Sequence, residues 1–215
     1  TYLPQQGYTD AGTYTITVEA EESSNYLSAS KEVSLVIEKA EITGVTFDDD
    51  TFTYDGLPKT IEVSGLPQGA SVVYENNDQT DAGTYEVTAV ITKDNFNDLE
   101  LSAELVINKA PQNITFDTLT PRSLEADSDF QLEATASSGL DITYTYLFTS
   151  PEPAAIVSPT GFVELLTSGE ILITAAQLGN GNYKAATSIE QSLMITSSNA
   201  DISSIIIPQV MKSII

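Results

Sequence analysis

The sequence predicts an all-β protein made of tandem small β-sandwich modules in an elongated array. The first reason is a repeat: residues 9–20, TDAGTYTITVEA, return at residues 80–91 as TDAGTYEVTAVI. The second is alternation of apolar and polar residues after each copy, the period-two signature of a half-buried strand. The third is punctuation by Gly, Pro, Asn and Asp about every 8–12 residues, which suits a sandwich. No stretch of ten or more residues carries a convincing helical period. Residues 160–176 come nearest, but Gly161, Gly169 and the β-branched residues there argue against a helix.

In chain order, the first TDAG turn opens a strand with Tyr14, Ile16, Val18 and Ala20 on one face and threonines with Glu19 on the other. Asn25-Tyr26 follows, then a strand that places Val33, Leu35 and Ile37 together before Lys39-Ala40. KAEITGVTF at 39–47 starts a module that holds the second TDAG turn, Asn95-Phe96 and the closing AELVINKA at 103–110. KAPQNITF at 109–116 starts another, whose diverged copy of the pattern runs from Thr167 through Gly169 and Asn182-Tyr183 to Ile195. NADISSIII at 199–207 reads as the first strand of a further unit. The expected division is therefore a partial module at 1–39, a complete one at 40–109, another at 110–198, and a following strand or tail at 199–215. The linkers EKA, NKA and SSNA are too short for independent tumbling.

Two repeated features invite functional readings. Thr-Asp-Ala-Gly is good turn chemistry: Asp can bond its own backbone, and Gly accepts a positive φ before a strand. The third copy, Thr167-Ser168-Gly169, keeps the Gly and loses the Asp, which a catalytic carboxylate would not permit. The turn therefore reads as architecture. The Asn-aromatic pairs could stack on sugars, but an aromatic at fixed distance from the closing strand fits a core plug better. Tyr26, Phe96 and Tyr183 are expected at equivalent, mostly buried positions, and Tyr14 and Tyr85 at equivalent positions.

Composition narrows the chemistry. The net charge of -23 repels phosphate backbones and anionic lipid, so neither nucleic-acid binding nor membrane docking is expected. The chain has no Cys and no His, which removes Ser-His-Asp and Cys-His catalysis and the usual zinc sites. No apolar run approaches the roughly 18 residues of a membrane span. Carboxylate pairs are the catalytic device left, and none sits in a recognisable constellation, so no enzyme is expected. Calcium is the better chemical candidate. FDDDTFTYDG gathers Asp48, Asp49, Asp50 and Asp55 near one loop, and oxygen-rich loops suit this hard cation. Against it stands a plainer reading, a solvated acidic turn that keeps an edge strand from aggregating.

Residues 54–91, with their Tyr-Asp-Gly start, Gly-Leu-Pro turn and Thr-Asp-Ala-Gly-Thr-Tyr strand opening, resemble the MBG-type repeats of bacterial surface proteins. Residues 1–39 match the second half of that pattern. Residues 110–197 are similar to a bacterial Ig-like repeat through QNITF, FQLEATASSGLDITY and ILITAAQLGNGNYKAA. The resemblance implies large adhesins on the bacterial cell surface, Bacteroidota-like and exported by the type IX pathway. It also makes Asp117-Thr118-Leu119 a short O-glycosylation pattern, with Thr118 as the acceptor. An Ig-like sandwich is the preferred module fold; a β-grasp-like mixed sheet is the alternative for the 70-residue unit. Function is then expected to be that of a non-enzymatic spacer whose partners are neighbouring repeats, with a glycan- or mucin-binding module as the alternative. No cofactor is expected, calcium apart.

Overall fold

The computed structural model describes residues 7–197, and the NADISSIII strand expected at 199–207 lies outside them. Among the described residues every regular element is a strand. The chain divides into two compact units between Lys109 and Ala110.

The first unit opens with a hairpin, β1 (Gly12–Ala20) and β2 (Ala29–Ile37), paired antiparallel with Tyr14 opposite Leu35 and Ile16 opposite Val33. A four-stranded sheet follows, formed by β3 (Asp50–Thr53), β4 (Ser71–Glu75), β5 (Gly83–Thr92) and β6 (Leu99–Asn108) in the order β3-β6-β5-β4. The β5–β6 pair repeats the β1–β2 register: Tyr85 lies opposite Leu105 and Val87 opposite Ala103. β4 is antiparallel to β5, but β3 runs parallel to β6, so the sheet is mixed.

One face of this sheet is covered by segments that form few strands of their own. Val87, Ala103, Leu105 and Ile107 bury against Ile61, Phe47, Phe52, Tyr54 and Tyr74. Ala89 and Ile91 bury against Ile42, Val45, Val63 and Phe96. The covering layer is pinned by backbone pairing of Thr46 with Ser64 and Lys59 with Gln79. Side chains complete it. The Asn77 carboxamide accepts from Ile61 N–H at 3.0 Å and donates to Ile61 C=O at 2.8 Å, standing in for a partner strand. Tyr74 Oη accepts from Val63 N–H. Backbone groups buried beneath a cover must be paired, and here side chains do what a second ladder would do.

The hairpin has no such cover among the described residues. Val18, Val33 and Leu35 are exposed where Ala89, Ala103 and Leu105 are buried. Tyr26 corrects the burial expected for it: it is 78% exposed. It lies in the loop joining β1 to β2, in a turn closed by Ser23 and Tyr26, and among the described residues no buried cluster packs on it. Phe96 packs half-buried against its module's core, and Tyr183 is half-buried too.

The second unit starts with β7 (Ile114–Phe116), β8 (Arg122–Ser123), β9 (Phe130–Gln131) and β10 (Ala134–Ala136). It continues with β11 (Thr143–Phe148), β12 (Ala155–Val157), β13 (Phe162–Leu165), β14 (Gly169–Ala176) and β15 (Ile189–Thr196). Three sheets result, ordered β11-β14-β15-β8, β12-β13-β9 and β10-β7. Ile171, Ile173, Leu193 and Ile195 from the first meet Val157 and Val163 from the second and Ile114 and Phe116 from the third in one dry core. Layers packed face to face over a shared core are a sandwich. The segment 160–176 forms β13 and β14, as its β-branched residues suggest.

Candidate functional site

The repeated TDAG turn is built around its tyrosine. Tyr14 folds back so that its hydroxyl donates to the Asp10 carbonyl at 2.8 Å, and Tyr85 does the same to Asp81 at 2.9 Å. A Cβ at Gly83 would lie 3.1 Å from Tyr85 Cζ and Oη, and one at Gly12 would lie 3.5 Å from Tyr14 Oη. At Gly83 a side chain would crowd the ring lying over it, whereas at Gly12 the contact is an ordinary one. In both copies a tyrosine hydroxyl closes the turn on the Asp carbonyl. That leaves the Asp10 carboxylate available for other work.

The Asn-aromatic turns have a backbone role that their sequence did not disclose. Ala40 N–H donates to Asn95 C=O at 2.9 Å, and Asn97 N–H returns a bond to Ala40 C=O at 2.8 Å. In the second unit Ala110 N–H donates to Asn182 C=O and Lys184 N–H to Ala110 C=O, both at 2.9 Å. Each Lys-Ala read as a linker is already the first bridge of its module, Ala40 beside Phe96 and Ala110 beside Tyr183.

Asn95 does more. Its φ of 68° is in the left-handed region that Asn tolerates. Its Oδ1 accepts from Ala11 N–H at 2.7 Å, and its Nδ2 donates to Asp10 Oδ1 at 2.9 Å. One carboxamide thus holds residues 84 and 85 positions away. The sequence signal was present, Asn before an aromatic, but it pointed to the ring rather than to the amide.

The acidic loop does not converge. Asp48 accepts from Thr46 Oγ1 at 3.4 Å, Asp49 from Glu104 N–H at 2.7 Å, and Asp50 from the neighbouring Thr51 N–H at 2.7 Å. Asp55 accepts from Leu57 N–H at 2.9 Å and pairs with Lys59 Nζ at 2.6 Å. Among the described residues no three or more Asp, Glu, His or Cys side chains group so as to hold a metal ion.

Lys59, then the Leu57 amide, hold the Asp55 carboxyl below its ordinary 3.8, with desolvation opposing them. A depressed carboxylate contributes stability above its unfolded value and loses it as pH falls through the folded one. That contribution should therefore be intact above about pH 4 and disappear below the folded pKa. Lys59→Met should move the Asp55 midpoint back toward 3.8, read from its carboxyl carbon in an NMR titration; an unmoved midpoint would refute the assignment.

Thr118 is exposed, in the loop after β7, so its hydroxyl is accessible. It lines an open groove of about 400 Å³ with Leu119, Arg122 and Phe130. There the Arg122 guanidinium lies 4.2 Å over the Phe130 ring and reaches Asp127 at 3.4 Å.

The stretch from Lys39 to Ala110 opens with Lys-Ala, carries Tyr-Asp-Gly and Gly-Leu-Pro turns and closes on the TDAG hairpin β5–β6. Residues 43–111 match the family described as MBG domain, so this chain contains an MBG domain. No curated protein matches the chain. Solved structures similar to it include human protocadherin-24 EC1-2 in its form II, at 10% identity and a TM-score of 0.33, covering 72% of this chain and 98% of that one. The protocadherin gammaB4 extracellular domain matches at 12% and 0.37, covering 86% and 39%. Mouse cadherin-23 EC22-24 matches at 14% and 0.33, covering 86% and 74%. These scores are too low to carry a fold or a function across.

Proposed function

We propose that this chain is a non-enzymatic spacer segment of a bacterial cell-surface adhesin, acting outside the cell through its repeats. The observation that carries the reading is the reuse of one hairpin, in one register, at β1–β2 and β5–β6. Its repeated residues serve the fold: Tyr14 and Tyr85 close turns, Gly83 makes room for a ring, and Asn95 ties segments together. A repeated catalytic or ligand site would instead repeat its exposed polar groups. Residues 7–37 are on this reading the second half of an MBG-like module, and 110–197 an Ig-like module. Among the described residues no helix is long and apolar enough to cross a membrane. The acidic loop is a set of turn and strand caps that calcium need not occupy, and Thr118 is the accessible glycosylation acceptor.

The test is an in-frame exchange within the full-length surface protein. Replacing residues 40–197 with an equal number of unrelated β-modules should preserve cell adhesion, whereas deleting them without replacement should weaken it. Loss of adhesion in both would defeat the spacer reading. The exposed Tyr26 favours a second reading, a glycan- or mucin-binding module. On a glycan array that reading requires hits that Tyr26→Ala abolishes, and a spacer gives none.

A further inference from the structure

We infer that the Thr-Asp-Ala-Gly turn is also a docking element, and that the partner it fits is the left-handed Asn turn at the head of the next MBG-type module in the same chain. The inference rests on reading residues 7–37 as half of such a module. Tyr14 lies over the turn's glycine and its hydroxyl holds the Asp10 carbonyl, but neither the Asp10 side chain nor the Ala11 N–H is used in closing the turn. Both are used by Asn95. Ala11 N–H donates to its Oδ1 at 2.7 Å, and its Nδ2 donates to Asp10 Oδ1 at 2.9 Å. A carboxamide offers a donor and an acceptor side by side. An aspartate followed by a backbone N–H offers the matching acceptor and donor. Two short bonds in opposite directions, one of them to a charged oxygen, fix orientation as well as contact.

The partner half is equally specific. Asn95 keeps φ at 68°, which Asn and Gly accept and most residues do not. Its backbone carbonyl is occupied by Ala40 N–H, the first bridge of the module at 40–109. A single residue thus joins the preceding hairpin to the start of the next module. Its side chain reads the hairpin's turn and its main chain holds the module's first bridge. Asn97 Nδ2 adds a bond of 2.6 Å to Glu41 beside it, stiffening that start. For a spacer, this converts a short connection into an oriented joint.

Hydrogen exchange on the full chain tests this at the two amides concerned. Asn95→Gly keeps the left-handed backbone and removes the carboxamide, so Ala11 N–H should exchange about tenfold faster while Ala40 N–H keeps its protection. Asn95→Asp sets two carboxylates together and should also speed Ala11 exchange. Adding Asp10→Asn to it restores a donor–acceptor pair of reversed polarity and should return Ala11 to within about threefold of the parent rate. The proposal is overturned if Ala11 exchanges at the same rate in the parent and Asn95→Gly chains, or if Asp10→Asn/Asn95→Asp is no slower than Asn95→Asp alone. Should Asn95→Gly unprotect Ala40 as well, the reversed pair decides by itself. Failure of the adhesion exchange with these rates as expected would remove the spacer reading and leave the joint.

Discussion

Leu105→Ala should destabilise the MBG module by about 2–5 kcal/mol, while Leu35→Ala, at the equivalent repeat position, should cost under about 1 kcal/mol. The two leucines share their local surroundings. Each lies opposite the tyrosine of a TDAG hairpin, Leu105 opposite Tyr85 and Leu35 opposite Tyr14. They differ in what lies above the sheet. Leu105 is 0% exposed and packed with Ile61, Val87 and Ile107, with Phe47, Phe52 and Tyr54 around them. Truncating it leaves a cavity whose walls are held by backbone pairing and by the Asn77 carboxamide, so collapse is restricted and the cavity cost is near the full one. Leu35 is 37% exposed and has no covering layer among the described residues, so its truncation loses area but opens no void. Native-state hydrogen exchange across β5–β6 and β1–β2 measures both losses in the same two chains. Equal losses would mean that the hairpin face is covered in solution, against the exposure seen here.

This pair also marks how far the sequence could be read. The hairpins were legible because anchors such as Gly12 and Gly83, Tyr14 and Tyr85, fix both the strands and their register, and a one-residue slip would turn every apolar side chain outward. The covering layer was not legible. It consists of isolated bridges and of side chains, Asn77 and Tyr74, acting on backbone groups, and no periodicity announces that. Nor does it announce β3, a four-residue strand whose parallel pairing with β6 makes the sheet mixed. Equivalence in the repeat predicted equal burial for Tyr26 and Phe96, but burial depends on what else packs there. Phe96 has Ile42 and Leu99 in its cluster, and Tyr26 has no such cluster among the described residues. At the acidic loop, proximity along the chain suggested convergence. Instead each of Asp49, Asp50 and Asp55 turns to a different N–H, that of Glu104 within β6, of the neighbouring Thr51 and of Leu57 in the following turn, because backbone amides compete for nearby carboxylates.

Gly65→Ala should be as damaging as the core truncation, about 2–5 kcal/mol, although it adds one methyl group at a turn. Two costs combine. The residue holds φ at 76°, and placing a Cβ in that region costs about 1–2 kcal/mol. The added Cβ would also stand 2.2 Å from the Gly44 carbonyl oxygen and 3.6 Å from Val45 Cα. Those are backbone atoms, so no rotamer change relieves the clash, and overpacking of this kind costs about 1–3 kcal/mol. The segment cannot simply move aside. Thr46 and Ser64 exchange both backbone hydrogen bonds, at 3.0 and 2.8 Å, next to the contact. The segments they join carry Val45 and Val63 into the core with Ile91. Relief by displacement would therefore break that bridge and uncover part of the core. Gly69, in the same turn region with φ of 81°, is the internal control: no heavy atom lies within 4 Å of its Cβ position. Gly69→Ala should incur the left-handed cost alone, about 1–2 kcal/mol. Chemical denaturation of the two variants gives the comparison, with amide exchange at Thr46 and Ser64 reporting the bridge directly. Equal losses in the two would show that close approach to Gly44 is relieved at no cost, and that the glycine of the Gly-Leu-Pro turn serves only its own backbone conformation.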